Sequence, residues 1–484
     1  MKTSLVSLAV ASALTLGALQ AAQASAAEVK PAVVAAEVEA LKAQLAVLQE
    51  RLAAIEAAQQ AQSAQVAAAT EAAQSQVSAN AEQQDAIDRT TDSLAQTRAN
   101  VGEWVGRFQW KGDLRYRNET IDQEFTARER NRDRIRARFG FFAKVNDTVR
   151  VEMQASTTEG GDSRSSNQTL TNANSRKALD LDTAYAEWAP SAQWKLTAGK
   201  MRTPWVRTAS YFYDGDVNPE GLAVSWQQGP TGFFGSAFYT QLAERSNFAD
   251  SNMAGAQFGW RGDVADGARL TLAAGYFDHG AVEGYNAFLD GNAANAFGNS
   301  TTTSAAICRS GIATCLANDF NIAELQGELA MTVAGKPLTL FVDYAQNGAA
   351  DFRNVSATPS SNIPEGLDTA YAFGATFGRA SAPRTWEIGY VYQKTEKDSL
   401  YGQWIDSDFA AGNTDGDGSV FKFGYAFARN WRLNATYIVS KTNNDVAVRV
   451  PTGFLGCTAT STSANCFRTD RDYKRLQIDL NMTF

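Results

Sequence analysis

At ~150 residues per domain, a chain of 484 residues would make about three soluble domains, but its composition argues against that division. Lysine and arginine total 44 against 52 acidic residues, a net charge of -8, which is the wrong sign for a nucleic-acid partner. One histidine, His279, and four cysteines leave no ligand set for a zinc, haem or iron–sulfur centre, so no metal and no cofactor is expected. Mean hydropathy is -0.30, and beyond the N-terminus no run of about 18 apolar residues occurs, so no helix can span a bilayer. A soluble globule and a membrane β-barrel remain.

Met1 to Ala26 carries Lys2, an apolar stretch from Leu5 to Leu19 and the small-residue end Ala24-Ser25-Ala26. This pattern reads as a cleaved secretory signal over residues 1–26, which places the mature chain outside the cytoplasm, where disulfides persist. The cysteines form two close pairs, Cys308 with Cys315 and Cys457 with Cys466, each within a polar loop-like stretch. They read as two local disulfide staples, since the spacing is not that of a CxxC metal or redox motif.

Residues 27–101 form a predicted helical segment. Val34, Val38, Leu41, Leu45, Leu48, Leu52, Ile55, Val66, Ile87, Leu94 and Val101 share one heptad register, an a/d seam of a coiled coil. Gln59, Gln62, Ala73, Gln76, Asn80 and Gln83 interrupt the seam, which weakens it but restricts its register. The alternative is an Ala/Gln-rich helix that associates with nothing. At ~1.5 Å per residue the segment reaches about 100 Å, far into a periplasm.

From 105 to 484 the period becomes two. Phe108, Trp110, Leu114 and Tyr116 alternate with Gln109, Lys111, Asp113, Arg115 and Arg117, and Ile135, Ala137, Phe139 and Phe141 with Arg134, Arg136 and Arg138. A soluble sandwich also alternates, so the connections have to decide. About sixteen such segments follow one another, near 107–117, 132–145, 147–157, 179–189, 192–201, 221–227, 232–241, 252–262, 267–277, 321–333, 337–346, 367–379, 384–395, 416–428, 431–441 and 472–484. Short connections near Asn146, Pro190, Gly229, Gly262–Asp266, Gly335, Ala380–Pro383 and Arg429 alternate strictly with long polar ones, the largest at about 278–320 and 442–471. Strict alternation with an even strand number predicts an all-β transmembrane barrel of the bacterial outer membrane, preceded by an α-helical coiled coil. Trp188, Trp194, Trp226, Trp260, Trp386 and Trp431 cluster near the short turns, as an aromatic girdle at one membrane boundary does. The last strand places Leu476, Ile478, Leu480, Met482 and Phe484 outward and Gln477, Asp479, Asn481 and Thr483 inward.

The strings Gly112-Asp113-Leu114-Arg115-Tyr116-Arg117, Arg132 to Ala143, Ala198 to Trp205, Trp386 to Tyr392, and Asp406-Ser407-Asp408-Phe409 followed by Gly412-Asn413-Thr414-Asp415 resemble the Gram-negative family of putative porins. The similarity runs through most of the barrel, and the resemblance implies an outer-membrane pore, in which a helical segment often precedes the barrel. Sixteen-stranded porins are commonly trimeric, so it also implies a homotrimer among outer-membrane lipids.

A barrel of this size holds a water-filled lumen, so inward positions meet solute. Lys111, Arg115, Arg117, Arg134, Arg136, Arg138, Arg150, Lys195, Arg261, Arg269, Lys422 and Arg432 outnumber Asp113, Glu152, Glu324, Glu328, Asp343, Glu387 and Asp479. The pore-wall arginines are therefore Arg115, Arg117, Arg134, Arg136, Arg138 and Arg150, and a wall of one sign favours the opposite ion. The alternative is a solvated wall balanced by acidic loops. The stretch at about 202–220 corresponds in order to the loop that narrows general porins, and by that similarity Asp214, Asp216 and Glu220 become constriction residues opposite Arg134, Arg136 and Arg138; the alternative is an ordinary surface loop. Asn413 to Gly418 resembles the start of an EF-hand, but Gly424 stands where its glutamate belongs, so the stretch reads as a D-G turn at a hairpin tip. The leading function is passive diffusion of small hydrophilic solutes or ions. An outer-membrane enzyme would have only His279, beside Asp278, as a base, and no G-x-S-x-G occurs. A tether binding peptidoglycan through the coiled coil is the third reading.

Overall fold

The computed structural model describes residues 31–100, 105–286, 296–355, 361–364 and 366–484. The signal segment and Val101 lie outside the described residues. The chain divides into two compact units, one ending at Asn100 and the other beginning at Val101.

The first unit is one helix, α1, Pro31–Asn100, 70 residues long. It is built from Ala, Gln, Glu and Leu with no glycine and no proline after Pro31, so propensity alone keeps it continuous. Threonine and serine side chains bond back one turn, Thr70 Oγ1 donating to the Val66 carbonyl at 2.7 Å and Ser75 Oγ to that of Glu71 at 2.8 Å. Leu41, Leu45, Leu48, Leu52 and Ile55 are all exposed, so the apolar seam lies open in the single chain.

The second unit is a closed barrel. Its strands are β1 Phe108–Gln123, β2 Arg130–Lys144, β3 Val149–Thr157, β4 Leu179–Trp188, β5 Trp194–Lys200, β6 Glu220–Gln227, β7 Gly232–Ala243 and β8 Ser251–Ala265. They continue as β9 Ala268–Gly280, β10 Phe320–Val333, β11 Lys336–Asn347, β12 Thr369–Gly378, β13 Trp386–Thr395, β14 Gly416–Ala428, β15 Trp431–Thr442 and β16 Arg471–Thr483. Each pairs antiparallel with the next and β16 pairs back onto β1, so these sixteen strands leave no free edge.

All sixteen segments expected from the alternation are strands. Two features differ. β1 runs to Gln123, because its alternation continues through Glu119 and Ile121 opposite Arg132 and Arg130 of β2. The connections do not alternate strictly in length: the segments at 124–129 and 244–250, on the long-loop end, are short, because β1 and β2, and β7 and β8, pair as tall hairpins almost to their tips.

The barrel is inside out relative to a soluble protein. Leu114, Phe139, Leu222, Phe258, Leu325, Phe373, Phe421 and Leu476 are exposed on the outer surface, while Arg117, Glu119, Arg136, Glu152, Gln257, Glu324, Gln393 and Asp479 are buried inside. Trp188, Trp194 and Trp431 are exposed near the short turns, with the Trp194 and Trp226 rings 6.4 Å apart. Trp205 and Trp404 are instead buried, stacked 6.2 Å apart in an apolar cluster that also holds Phe212, Phe277, Phe341 and Leu400. Two disulfides, Cys308–Cys315 and Cys457–Cys466, each close a hairpin within the segments 281–319 and 443–470.

Closure depends on the seam between β1 and β16. Gly112 exchanges both backbone hydrogen bonds with Phe484, at 2.9 and 3.0 Å, and a Cβ on Gly112 would meet the Phe484 ring at 2.3 Å, so only glycine lets the terminal ring lie there. On the inner face Arg117 donates from Nε and Nη2 to the two carboxylate oxygens of Asp479, at 2.7 and 2.9 Å, a bidentate pair across the seam. Glu119 lies between Arg475 of β16, at 2.5 Å, and Arg132 of β2. Removing one member of a buried ion network leaves its partners uncompensated and costs about 3–5 kcal/mol. Glu119→Gln is therefore expected to lower barrel stability by roughly that amount, read as an earlier midpoint in urea for the loss of the folded form that migrates faster in unheated gels. An unchanged midpoint would show that the seam does not depend on this carboxylate.

Candidate functional site

The lumen is narrowed by chain that folds into it. The segment 201–219, between β5 and β6, is closed at its base by Met201 N donating to the Pro219 carbonyl at 2.7 Å, and it buries Met201, Trp205, Phe212 and Val217. Inward-facing strand residues hold it across the barrel. Gln257 of β8 exchanges two bonds of 2.9 Å with the Val206 backbone, and Gln326 of β10 donates to the same carbonyl at 2.5 Å. Thr208 and Ser210 donate to Asp343 of β11 at 2.7 and 2.8 Å, and Tyr211 N donates to Gln393 of β13 at 2.8 Å.

A second inward segment, 396–415, packs on the first. Asp214 N donates to the Trp404 carbonyl at 2.8 Å, and Ser407 N donates back to the Asp214 carboxylate at 2.9 Å. Arg164, from the segment 158–178, donates to the Gly412 carbonyl at 2.8 Å and lies 3.3 Å from the centre of the Phe297 ring. Asp408 reaches the arginine wall: Arg475 at 2.8 Å, Arg117 at 3.2 Å and Gln477 at 2.9 Å converge on it. The two guanidinium groups, helped by the Gln477 amide, hold its carboxyl well below the usual carboxylate range, despite burial. Burial pushes the neighbouring Asp406 up to about 6, and burial beside Asp406 and Asp216 pushes Asp214 well above the ordinary value.

Arg115, Arg117, Arg134, Arg136 and Arg138 stand together on the inner face of β1 and β2, each with a polar or acidic partner. Arg115 donates to Asn481 at 3.1 Å, Arg134 to the Asn167 carbonyl at 2.6 Å, and Arg136 and Arg138 share Asp113 at 2.8 and 2.6 Å. Two groups near the short-turn end are shared unequally. Glu187 alone faces Arg150 and Lys195, at 2.8 and 3.2 Å, and Glu152 alone faces Lys111 and Arg202, both at 2.6 Å.

The acidic residues of the segment around 202–220 do not act as one set. Asp216 lies 3.7 Å from Arg138 and accepts from Ser166 N and Oγ at 2.9 and 2.7 Å. Asp214 faces the segment 396–415 instead of Arg134 or Arg136, because its carboxylate is taken by the backbone amides of Ser407 and Asp216. Glu220 is the first residue of β6, exposed and paired with Lys200 at 2.8 Å, so strand geometry turns it away from the arginines. Asp415 is not at a hairpin tip. Gly416 already begins β14, and the Asp415 carboxylate accepts from the amides of Asp445 and Val446 at 2.5 and 3.2 Å, tying 396–415 to 443–470. His279 is packed against Phe320 and Tyr401, its Nδ1 2.9 Å from the Phe320 carbonyl.

Several lumen residues carry roles that sequence reasoning did not give them. Glu119 and Arg475 stand on the inward parity of their strands; Glu119 would have been revealed by a longer β1, and Arg475 already lay on the inward face of the expected segment 472–484. Asp408 gave no signal because it lies on a segment with no periodicity, and Gln257, Gln326 and Gln393 gave none because their partners do.

Cavities border the segment 201–219 on two sides. One of about 390 Å³, lined by Pro204, Val206, Lys195 and Arg261, faces the short turns. One of about 250 Å³, lined by Val217, Asn218, Tyr401 and Gln403, faces the long loops. A third, of about 520 Å³, is lined by the segment itself together with Asp406 and Lys422.

A family model described as "Putative porin" matches residues 122–311 and 288–459. Among solved structures, the high-pH structure of Pseudomonas putida OprB is 10% identical, with a TM-score of 0.47 over 81% of this chain and 97% of that one. Salmonella typhi OmpF in complex with daunomycin is 11% identical, with a TM-score of 0.44 over 78% and 97%. The trimer form of Vibrio cholerae OmpT is 14% identical, with a TM-score of 0.43 over 78% and 99%. The comparison with curated proteins found no match. With a closed sixteen-stranded barrel, an apolar exterior and a charged lumen, and with the family model covering most of its length, the chain belongs to the putative porin family and is a porin of the outer membrane.

Proposed function

We propose that the protein is a passive diffusion channel for small hydrophilic solutes and ions, narrowed by the segments 201–219 and 396–415 and mildly selective for anions. One observation supports the selectivity most directly: Glu187 and Glu152 each serve two cations, which leaves a basic surplus where the lumen opens toward the short turns. The six pore-wall arginines contribute unequally. Arg150 belongs to this surplus, whereas Arg117, Arg136 and Arg138 are matched by Asp479, Asp408 and Asp113. Asp214 and Asp216 act in the constriction by holding the two segments to each other and to Arg138, and Glu220 takes no part. The signal segment 1–26 exports the chain, outer-membrane lipids cover the apolar band, and the disulfides Cys308–Cys315 and Cys457–Cys466 brace the outer loops.

The exposed heptad seam of α1 supports a periplasmic coiled coil between copies of the chain; the seam itself does not choose among two, three and four, and three is preferred because sixteen-stranded porins are commonly trimeric, with peptidoglycan as a further partner of the helix. A tether and a channel are compatible roles. A variant lacking residues 34–100 is expected to keep its ionic current and lose any attachment to the cell wall. Crosslinked full-length protein in mild detergent should run as trimers, and monomers alone would remove the oligomer from this reading.

Single-channel current in a planar bilayer under a salt gradient tests the channel. Steady current with an anion-favouring reversal potential is expected, and replacing Arg150 and Lys195 together by glutamate should move the reversal toward cations. A reversal potential that ignores the double substitution would place the selectivity elsewhere.

A pH dependence follows from Asp406. Its carboxyl is raised to about 6 in the inward arrangement, so the stability it contributes is present at acid pH and is lost as pH rises through about 6. Asp214 acts with the same sign, while Asp408, held low, weakens the arrangement only below the usual carboxylate range. The inward segments are thus held more firmly at pH 5 than at pH 8, and current should fall on acidification with a midpoint near 6. Asp406→Asn should give the low current at both values; a retained pH dependence would assign it to another group.

A further inference from the structure

The cavity of about 520 Å³ beside 201–219 is lined by Arg202, which Glu152 of β3 pairs, and by a donor set of its own. Lys422, from β14, has no hydrogen bond or ion pair among the described residues; its ammonium lies 4.6 Å from the Tyr211 ring centre. Arg207 donates to the backbone carbonyls of Tyr213 and Asp214, at 3.4 and 3.0 Å, and makes no ion pair with a carboxylate among the described residues, although Asp214 and Glu324 lie close enough to attract it. Trp205 is 6% exposed, lines the same cavity, and its indole Nε1 has no partner. A buried donor left unmet costs about 1–3 kcal/mol. Two cations without a direct ion pair and one unmet neutral donor, brought from the segment 201–219 and from β14, thus line one solute-sized space, with Asp406 and Glu387 near enough to offset part of the Lys422 charge.

We propose that this cavity is a binding site for small organic monocarboxylates, with Lys422 and Arg207 as the charge partners and Trp205 Nε1 as a directional donor. The proposal rests on the diffusion-channel reading and deepens it by naming a solute class. A carboxylate has two oxygens and about four lone-pair sites, so it can accept from donors on separate elements at once. Asp406 lines the same cavity, its carboxylate held by the amides of Asp408 and Phe409 at 2.8 and 3.0 Å. It repels a second carboxylate, which favours a monoacid over a diacid.

The test uses the full-length protein in a planar bilayer in potassium chloride, with butyrate added as the probe, butyramide as its uncharged isostere and succinate as the diacid. Butyrate is expected to interrupt the chloride-carried current at concentrations where butyramide has no effect and succinate acts more weakly. Lys422→Gln should raise the half-effect concentration of butyrate about fivefold, the scale of one lost charge-assisted bond in a wet lumen, and Lys422→Arg should bring it back toward the original value. If the folded protein carries no current, the channel reading fails and the site falls with it. If current flows but butyrate acts no better than butyramide, or if Lys422→Gln leaves the half-effect concentration unchanged, the site is overturned and the channel stands.

Discussion

The interior depends on one electrostatic constraint, the arginines paired across β1 and β2. Their register sets Arg115 opposite Arg136 and Arg117 opposite Arg134. Directly opposed side chains in an antiparallel pair have Cβ atoms about 4.5–5.5 Å apart, where like charges repel. Asp113, Glu119 and Asp479 from the strands compensate part of this charge. The segments 396–415 and 201–219 supply Asp408 and Asp216 for more of it. The inward fold of the segments is therefore coupled to the wall: the arginines hold Asp408 in place, and Asp408 lets arginines stay buried. The wall on this half of the lumen is buried, and carboxylates of the strands and of the inward segments balance it together.

The opposite half of the lumen solves a different problem with neutral groups. Gln257, Gln326 and Gln393 meet backbone donors and acceptors that a chain crossing a barrel would otherwise leave unmet. Glutamine offers both a donor and an acceptor on a long stem, so it can serve an irregular backbone without adding charge. Phe238, Phe277 and Phe341 then bury Trp205 and Phe212. The segment 201–219 is consequently clamped by packing and amides on one side and tied through Asp216 to a cation on the other.

The barrel was legible in the sequence because its pattern is local. Inward and outward positions alternate with period two, and each strand announces itself whatever it pairs with, so sixteen strands and the girdle tryptophans could be read one at a time. Interior contacts are not local. Asp408 meets Arg475 and Arg117 across 67 and 291 positions of sequence, and nothing near Asp408 says that its segment turns inward. The family string around it marked the residues without giving a role. Trp205 and Trp404 show the same limit from the other side. Trp205 follows closely on β5 and Trp404 lies in the middle of 396–415, and they stack in the lumen because the segments that carry them fold in. Glu119 and Arg475 fell between the two cases: Arg475 was readable by parity within 472–484, and Glu119 became so once β1 was given its full length.

Charge along the lumen then divides by depth. Near the long loops Arg117, Arg134 and Arg475 are buried and matched by carboxylates, so their charge contributes to architecture more than to the field a solute meets. Near the short turns Arg150, Lys195 and Arg202 are about half exposed and share two carboxylates with Lys111, so their charge reaches the aqueous path. A buried, matched pair is screened little by salt but presents little net potential, while an exposed, unmatched cation presents potential that salt screens within about 8 Å at physiological ionic strength. Selectivity arising from the second group should fade as ionic strength rises, whereas the stability supplied by the first should not. The counts of arginine and aspartate along the strands hold both quantities mixed, and only the pairing separates them.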